Sequence, residues 1–376
     1  MNNELDLFRD NFKRFLNEFI APHYETWEKE GKFPREIWDK LGENGFLCVD
    51  IPEEYGGFGA TTDFSLMLVE ESARAGFSAI SVGLTCHSDI SASYILHLGT
   101  EEQKKYWLPK MVTGEIVGAI AMSEPGAGSD LQSIRTNCIP TDDHYLLNGS
   151  KIFITNGQNA DIIVMAGKTI LNAKGKGVSL FIVPTNLPGF SKGTNLNKLG
   201  LHAQDTSELF FEDVILPKNC LLGNENEGFK YMMNELPRER LAIASTAIGA
   251  IKGSLDITVQ YVKERQAFGS QLSKFQNTRF VIAQSKIELD AAASLYEKCL
   301  NLYIDKKLSI PEAASLKCLS TDLQFKIADQ LLQLFGGYGY MVEYPISRFF
   351  IDARVQKIYG GTNEIMKEII ARSLLD

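Results

Sequence analysis

The 376-residue sequence predicts a multi-domain α+β protein in which helices form both ends of the chain and short strands form the middle. The chain is longer than one average domain of roughly 100–200 residues, so several packed units are expected. Apolar residues recur at helical spacing near both ends, whereas short apolar runs divided by turn signals fill the centre. We therefore predict an N-terminal helical domain at 1–117, a middle β domain at 118–226 and a C-terminal helical bundle at 227–376.

The N-terminal part, from residue 4 to about 115, shows the spacing of amphipathic helices. Apolar side chains of the first helix lie three and four residues apart, at Leu5, Phe8, Phe12, Phe15, Leu16 and Phe19. Pro22 is expected to end this helix, and Trp38 belongs to a second short helix that Gly45 ends. Thr100 and Gln103 have the spacing of a capping box, which predicts another helix start.

The middle part contains several short apolar runs. Asn148-Gly149 separates two of them, and this dipeptide favours the tight turn of a β-hairpin ending near Thr155. Further strands are predicted at 161–165, 177–183 and 207–214. Since no helical pattern separates these strands, they indicate an antiparallel barrel or sandwich.

The C-terminal part returns to helical spacing after about residue 228. Two apolar stripes predict two helices, one with Leu241, Ile248, Leu255, Val259 and Val262, the other with Leu316, Leu319, Leu323, Ile327, Leu331 and Leu334. Ser309 and Glu312 have capping-box spacing before the second helix, and Gly336-Gly337 fits its end. Pro237 fits the start of the first helix, because proline is favoured at the first helical position.

Charge and cysteine content exclude several classes of protein. The formal net charge is −9, which a phosphate backbone would repel, so we expect no nucleic-acid binding. The six cysteines are far apart and the five histidines lie singly. This spacing offers neither a zinc motif nor a disulfide framework, so free thiols in a reducing compartment are expected.

Hydropathy predicts neither a membrane span nor a secretion signal. No apolar run reaches the roughly 20 residues that cross a bilayer, and the first residues lack a basic segment followed by an apolar one. We therefore expect no integral membrane contact. The expected location is the cytoplasm, or an organelle that holds the mature form of the protein.

The segment 122–130, Met-Ser-Glu-Pro-Gly-Ala-Gly-Ser-Asp, is a candidate ligand-binding loop. Its glycines and small hydroxyl residues allow the backbone to come close to a flat or anionic ligand. The same composition also fits an ordinary tight loop. The segment is not a dinucleotide-binding fingerprint, because strands rather than a βαβ unit are predicted after it.

Two further segments resemble the acyl-CoA dehydrogenase family. The stretch 358–364, Ile-Tyr-Gly-Gly-Thr-Asn-Glu, is similar to the family's flavin- and substrate-contacting signature. In many members the residue after the tyrosine is the catalytic glutamate, but here that position is Gly360, which cannot act as a base. A smaller group, typified by long-chain and isovaleryl-CoA dehydrogenases, has the glutamate on another helix before an arginine. The stretch 235–241, Glu-Leu-Pro-Arg-Glu-Arg-Leu, resembles that alternative and implies that Glu239 is the base.

A Glu-Arg pair on a helix is usually solvated surface, so the role of Glu239 depends on its surroundings. A base that removes a proton next to a carbonyl needs a dry pocket, where burial raises its pKa towards the working pH. It also needs hydrogen-bond donors near the carbonyl oxygen. The resemblance, which covers essentially the whole chain, implies that the backbone N–H of Gly360 is one of them.

The resemblance implies FAD as the cofactor. Ser123 is expected near the reactive flavin nitrogen N5, and Phe153 against the flavin ring, where many relatives have tryptophan. The full implied cofactor set is Met122, Ser123, Gly128, Ser129, Phe153, Ile154, Thr155, Arg265, Phe268, Phe275, Gln276, Gln333, Leu334, Gly336, Gly337, Thr362 and Glu364. The implied substrate contacts are Ser129, Arg240 and Gly361. From the residues alone, Arg265 is only a basic helix end and 333–337 only a helix C-terminus.

The implied fold has an N-terminal helical domain, a middle antiparallel β-barrel and a C-terminal helical bundle. Such chains commonly form homotetramers, in which Arg265 often reaches the cofactor of a neighbouring subunit. The implied reaction is α,β-dehydrogenation of a long-chain or branched acyl-CoA, in which Glu239 removes the α-proton and the flavin receives a hydride. The product is a trans-2-enoyl-CoA, and an electron-transferring flavoprotein takes the electrons. The implied location is the bacterial cytoplasm or, in a eukaryote, the mitochondrial matrix.

Three other functions fit the same residues. A dehydrogenase of acyl groups bound to a carrier protein in secondary metabolism can use the same base position. An oxidase that passes electrons to oxygen differs only in flavin access. A non-catalytic acyl-CoA- or FAD-binding assembly protein would explain Gly360, but it gives no reason for retaining Glu239.

Overall fold

The computed structural model describes residues 3–171 and 174–375. Helices come first in the chain, strands follow and helices return, as the apolar spacing predicts. The division into domains at residues 117 and 226 remains a prediction.

The N-terminal helices are short and pack through aromatic side chains. They are α1 (Asn3–Phe15), α2 (Tyr24–Glu30), α3 (Glu36–Glu43), α4 (Thr62–Arg74), α5 (Ser78–Leu84), α6 (Ser93–Leu98) and α7 (Glu101–Val112), with π-helical turns at Leu16–Ile20 and Thr85–Ala92. The buried rings of Phe12 and Phe46 lie edge to face, with centroids 4.9 Å apart. The predicted capping box is confirmed, because the backbone N–H of Gln103 donates to the Thr100 hydroxyl at the start of α7.

The middle part forms an eight-stranded sheet. Its strands are β1 (Gly118–Ala121), β2 (Asn137–Pro140), β3 (His144–Thr155), β4 (Ile162–Lys168), β5 (Val178–Pro184), β6 (Phe190–Asn195), β7 (Thr206–Pro217) and β8 (Leu221–Leu222). Neighbouring strands follow the order β6-β7-β3-β2-β4-β5-β8, and β1 pairs with β4. Most pairs are antiparallel, as predicted, whereas β1 and β2 each run parallel to β4.

The predicted hairpin turn at Asn148-Gly149 is wrong. The strand β3 runs through both residues and pairs with β7, with a register shift beside Gly149. Gly149 has a φ of 145°, and a Cβ there would come within 2.6 Å of the Thr136 hydroxyl oxygen. The Asn148 side chain bonds across the bulge to Asp213 on β7. The glycine therefore serves a bulge and a close backbone approach rather than a turn.

The C-terminal part is a helical bundle built around one long helix. Its elements are α8 (Gly228–Glu264), β9 (Gln266–Ala267), β10 (Ser270–Gln271), α9 (Gln276–Ile304), α10 (Ile310–Gln333), α11 (Pro345–Gln356) and α12 (Asn363–Leu375). Helix α8 packs against α4, α9 and α10, so it joins the two helical parts of the chain. The predicted capping box of Ser309 and Glu312 is confirmed at the start of α10.

The prediction that Pro237 starts a helix is wrong, because α8 begins at Gly228 and continues through the proline. Proline cannot donate a hydrogen bond to the carbonyl four residues earlier, but burial of the surrounding helix offsets this loss. Among the described residues α8 is also the one helix long and apolar enough to cross a membrane, contrary to the expectation from hydropathy. However, 78% of its most apolar 18-residue window is buried inside the fold.

Candidate active site

A cavity of about 510 Å³ lies where the three parts of the chain meet. Its lining residues are Val82, Thr85, Cys86 and Ile90 from the N-terminal helices; Ile120, Met122, Ser123, 128–132 and 153–155 from the sheet and its loops; and Phe229, Met233, Leu236, Glu239, Arg240, Ile243, Thr246, 359–361, Ile365, Glu368, Ile369 and Arg372 from the C-terminal helices. The predicted site residues that line it are Met122, Ser123, Gly128, Ser129, Phe153, Ile154, Thr155, Glu239, Arg240, Gly360 and Gly361. Segments far apart in sequence are thus brought to one cavity.

The loop 122–130 is held against the sheet by a buried ion pair that was not predicted from the sequence. Lys151 Nζ lies 2.8 Å from Glu124 Oε1 and 2.9 Å from the Met122 carbonyl oxygen. Glu124 also accepts hydrogen bonds from the backbone N–H groups of Arg135 and Thr136. Burial alone would raise the pKa of Glu124, but Lys151 and these donors lower it overall. The ion pair therefore fixes the backbone of this cavity wall.

Phe153 extends into the cavity from the end of β3. The pairing of β3 with β7 shifts between Lys151 and Ile154, and Phe153 has a φ of 62°, which is uncommon for a bulky residue. The Phe153 side chain is 67% exposed, whereas Ile154 is buried. The irregular backbone thus presents an aromatic ring at the cavity wall, and unusual backbone of this kind often occurs at ligand sites.

Glu239 is a buried acid on the α8 wall of the cavity. The residue is 7% exposed, and the Tyr94 hydroxyl donates a long hydrogen bond of 3.4 Å to its carboxyl group. Burial, followed by the nearby Glu235 carboxylate, raises the pKa of Glu239 to about 7, against the opposing effects of Arg240 and Tyr94. A carboxyl group with this pKa can take up and release a proton near neutral pH.

Arg240 adds a buried positive charge beside this acid. The residue is 2% exposed, and its Nε and Nη1 atoms have no hydrogen-bond partner among the residues that the structure describes. Burial lowers the pKa of Arg240, although Glu239 opposes this effect. Unpaired buried donors are costly, so this part of the cavity is suited to a ligand with a negative or strongly polar group.

Gly360 faces α8 from the opposite wall. Its φ is 64°, and a Cβ at this position would lie 2.2 Å from Ile243 Cδ1. Ile243 follows Glu239 by one helical turn, so both side chains point to the same region. A side chain at position 360 is therefore excluded while Ile243 keeps its place.

Lys317 holds the turn that contains Gly360, and it was not predicted as a site residue. Its Nζ donates hydrogen bonds of 2.8 Å to the Gly361 carbonyl oxygen and 2.9 Å to Asn363 Oδ1. The Lys317 side chain is fully buried, and burial lowers its pKa to about 8. In the sequence Lys317 only follows Leu316 of an apolar stripe, and a lysine at such a position usually indicates the exposed surface of a helix.

Thr362 and Glu364 do not line this cavity. The Thr362 hydroxyl accepts a hydrogen bond from the Ile365 backbone N–H at the start of α12, and Glu364 is exposed. Their contacts in one chain are those of a helix N-terminus. The implied contact of both residues with the cofactor remains a prediction.

A second cavity, of about 520 Å³, collects other predicted cofactor residues. Its lining consists of Tyr261, Arg265, Leu272, 333–338 and Met341, which includes Gln333, Leu334, Gly336 and Gly337. The Arg265 guanidinium lies 5.2 Å from the centre of the Tyr338 ring. Among the described residues the two cavities share no lining residue.

Phe268, Phe275 and Gln276 line neither of these two cavities. Phe268 is 99% exposed, and its ring meets the Phe275 ring edge to face at 6.3 Å. Tyr340 and Val342 are also exposed large apolar residues. In a single chain, part of the predicted cofactor set is therefore separate from the cavity that contains Glu239.

The structure describes all six cysteines as free, five of them buried and Cys220 half-buried. Within residues 3–171 and 174–375, no group of three or more His, Cys, Asp or Glu side chains is arranged to hold a metal ion.

Comparison with known protein families gives matches along nearly the whole chain. The models described as acyl-CoA dehydrogenase N-terminal, middle and C-terminal domains match residues 2–115, 119–214 and 226–375. The mitochondrial long-chain specific acyl-CoA dehydrogenase of Sus scrofa is 45% identical over 376 residues, which is 100% of this chain and 87% of the relative.

Solved structures with the same architecture confirm the predicted fold class. An acyl-CoA dehydrogenase from Geobacillus kaustophilus has a TM-score of 0.98 at 46% identity, and the match covers 100% of this chain and 99% of that one. A structure described as the electron transferring flavoprotein of Acidaminococcus fermentans has a TM-score of 0.96 at 37% identity, covering 100% and 98% of the two chains.

Proposed function

This chain belongs to the acyl-CoA dehydrogenase family of FAD-dependent oxidoreductases, and we propose that Glu239 is its catalytic base. The observation that carries the proposal is a buried carboxyl group with a pKa of about 7 that shares its cavity with Gly360, a position that cannot supply a base. Asp130 and Glu368 also line the cavity, but both are exposed. Glu239 is therefore the acid best suited to a dry reaction site.

The cavity residues fit FAD, the cofactor of the family. A Cβ at Gly128, which lines the cavity, would meet nothing within 4 Å, so this part of the loop 122–130 leaves open space for a flat ligand. Phe153 offers an apolar ring beside that space, and Arg240 offers unpaired buried donors. When bound, FAD supplies the acceptor for the hydrogen that leaves the substrate's β-carbon.

The other steps rely on the chain's own groups. Glu239 is proposed to remove the α-proton, and its pKa of about 7 keeps part of it as carboxylate near neutral pH. The Gly360 backbone N–H is proposed to donate to the thioester oxygen, where negative charge develops. Lys317 supports this donor, because it binds the carbonyl of the adjacent Gly361.

A long-chain or branched acyl-CoA is the proposed substrate. Phe229, Met233 and Leu236 precede Glu239 on α8 and line the same cavity. A rise of about 1.5 Å per residue spreads this apolar wall over roughly 10 Å, which suits an extended acyl chain. The Sus scrofa relative, 45% identical, is described as long-chain specific.

An electron-transferring flavoprotein is the proposed electron acceptor. The resemblance of the chain to its family supports this partner class. A carrier-protein-bound substrate is not favoured, because the Sus scrofa and Geobacillus kaustophilus relatives are both described as acyl-CoA dehydrogenases. A non-catalytic role is not favoured either, since it leaves the buried Glu239 without a purpose.

A homotetramer is the proposed assembly, in which the second cavity of one copy completes the cofactor site of another. Arg265 has the fixed positive charge that binds phosphate well, and Gly336 and Gly337 leave open space beside it. The exposed Phe268 and Tyr340 rings are the apolar surface expected at an interface. Sedimentation of the FAD-loaded protein tests the assembly, and R265Q should lose FAD more readily than the parent during dilution.

The proposed location is a reducing compartment, either the bacterial cytoplasm or the mitochondrial matrix. All six cysteines are free, as expected where thiols stay reduced. Among the relatives, the Sus scrofa protein is mitochondrial and the Geobacillus kaustophilus protein is bacterial.

Anaerobic bleaching of the bound flavin by a panel of acyl-CoA thioesters tests the proposed function. Long-chain thioesters should reduce the flavin of the parent fastest, and E239Q should be slower by about 10²–10⁴-fold. The variant E264Q, which changes an exposed acid near the end of the same helix, serves as the matched control. If E239Q bleached as fast as E264Q, Glu239 would not be the base.

A further inference from the structure

A second carboxyl group lies one helical turn before the base. Glu235 and Glu239 are both buried on α8, and side chains four residues apart on a helix are neighbours. Two residues of α6 face them. The Tyr94 hydroxyl donates to Glu239, and His97 Nδ1 lies 2.9 Å from Glu235 Oε1. The two helices therefore form an inner pair, Tyr94 with Glu239, and an outer pair, His97 with Glu235.

The outer pair connects the buried acids to solvent. The His97 side chain is 42% exposed, whereas the Glu235 side chain is 11% exposed. Histidine is the side chain that most readily changes its charge in the physiological pH range. His97 is positively charged only when it is protonated, so it either balances the Glu235 charge or leaves it unbalanced, while the inner acid stays enclosed.

We propose that Glu235 and His97 are positioning residues that set how strongly the base Glu239 holds its proton. The inference rests on the proposed role of Glu239. A Glu235 carboxylate repels a second negative charge one turn away, so it favours the protonated form of Glu239. An imidazolium at His97 cancels part of that repulsion and favours the carboxylate form of Glu239.

The other charged groups around the two acids act in known directions. Arg240 follows Glu239 and favours its carboxylate, as a cation should. Arg238 is already bound by Asp50 at 2.5 Å and Asp89 at 2.9 Å, so its charge is largely balanced.

Two tyrosines also lie near the pair. Burial raises the pKa of Tyr303, which lies near Glu235, and of Tyr94, so both are neutral at physiological pH. Neither tyrosine therefore adds a charge beside the two acids.

The pH dependence of flavin reduction in single-turnover experiments tests this inference. The rate should rise with pH as Glu239 loses its proton. In E235Q this acid limb should move to lower pH by about half a unit or more, because a like charge is removed. In H97Q it should move to higher pH, because the amide can still bond to Glu235 but cannot carry charge. The double variant should follow E235Q, and E235D should keep the limb of the parent.

Opposite shifts in the two single variants are a result that mere loosening of the fold would not produce. A limb that stays in place in E235Q or in H97Q, or that moves the same way in both, overturns the inference.

Infrared difference spectra give a second measurement, because the protonated Glu239 carboxyl band should titrate at the shifted pH and be missing in E239Q. If E239Q keeps full flavin reduction, the proposed base is wrong. If E239Q is slow but the limbs do not move, only the role of Glu235 and His97 fails.

Discussion

The two walls of the Glu239 cavity differ in whether they can hold a carboxyl side chain. On α8 the backbone is a regular helix, and Glu239 is enclosed with Tyr94 as a hydrogen-bond donor. On the facing turn, Gly360 has a φ of 64° and its missing Cβ would lie 2.2 Å from Ile243. Ile243 is one turn from Glu239, so in its present side-chain conformation a residue of the α8 wall blocks a side chain at position 360. In this packing a carboxyl group can therefore enter the cavity from α8 but not from position 360.

The largest effect is expected from moving the acid from position 239 to position 360 on the other wall. Relative to the slow E239Q, the triple variant E239Q/I243A/G360E should regain at least about tenfold in flavin reduction. Truncation of Ile243 removes the atom that blocks a side chain at 360. Single-turnover anaerobic reduction by the best acyl-CoA measures the gain.

The double variant E239Q/G360E is the matched control for this exchange. It keeps Ile243 and should show no gain. Equal rates for the double and triple variants, with both folded and loaded with FAD, would mean that Ile243 does not decide where the acid can stand.

A smaller change on the Gly360 wall should affect stability first. G360A is expected to lower the free energy of unfolding by about 2–4 kcal/mol, because it adds strain at positive φ and a clash with Ile243. Urea unfolding of the FAD-loaded protein measures the loss. G126A is the control, since a Cβ there meets nothing within 4 Å and φ is not in the left-handed region. Similar losses in both variants would contradict the role of the Ile243 contact.

Glu239 on the α8 wall should make the stability of the protein depend on pH. The pKa of Glu239 is about 7 in the folded protein, above its ordinary value of 4.5. Between these values the folded state binds more protons than the unfolded state, so stability falls as pH rises and levels off above about pH 7. The loss is up to about 3 kcal/mol, since one pKa unit corresponds to about 1.4 kcal/mol.

The matching measurement compares E239Q with the parent at pH 5 and pH 8. The glutamine cannot ionise, so E239Q should gain stability relative to the parent at pH 8. Asp352, another buried acid whose pKa burial raises to about 7, is present in both proteins and cancels. A difference that is the same at the two pH values would mean that Glu239 is not held in a raised-pKa environment.

The smallest expected effect concerns the support of the Gly360 turn. K317M removes the donor to the Gly361 carbonyl and should lower kcat by about tenfold, the order expected for one buried hydrogen bond to a charged group. The acid limb of the pH profile should stay in place, because Glu239 lies on the other wall. K326M, which changes an exposed lysine on the same helix, is the control, and an equal loss there would remove Lys317 from the site.

Elements whose signals are local could be predicted from the sequence. The capping boxes at Thr100 and Ser309 are confirmed because each depends on residues within one turn. Asn148-Gly149 and Pro237 were misassigned for the opposite reason. Asn148-Gly149 stays in a strand because it pairs with β7 across a bulge. The helix α8 continues through Pro237 because its surroundings are buried. In both cases contacts with distant segments outweigh local preference.

The candidate site divides in the same way. Motif residues such as Ser123, Glu239 and Gly360 could be identified from the sequence and do line one cavity. Tyr94 and Lys317 could not be identified from the sequence, because they contribute hydrogen bonds to residues 145 and 44 positions away in the chain. The order of helices and strands and the candidate base were thus determined by the sequence itself, since periodicity and motif are written along the chain. The depth of burial that raises the pKa of Glu239, and the Ile243 contact that closes position 360, were decided only by tertiary packing, because both arise between segments that meet on folding.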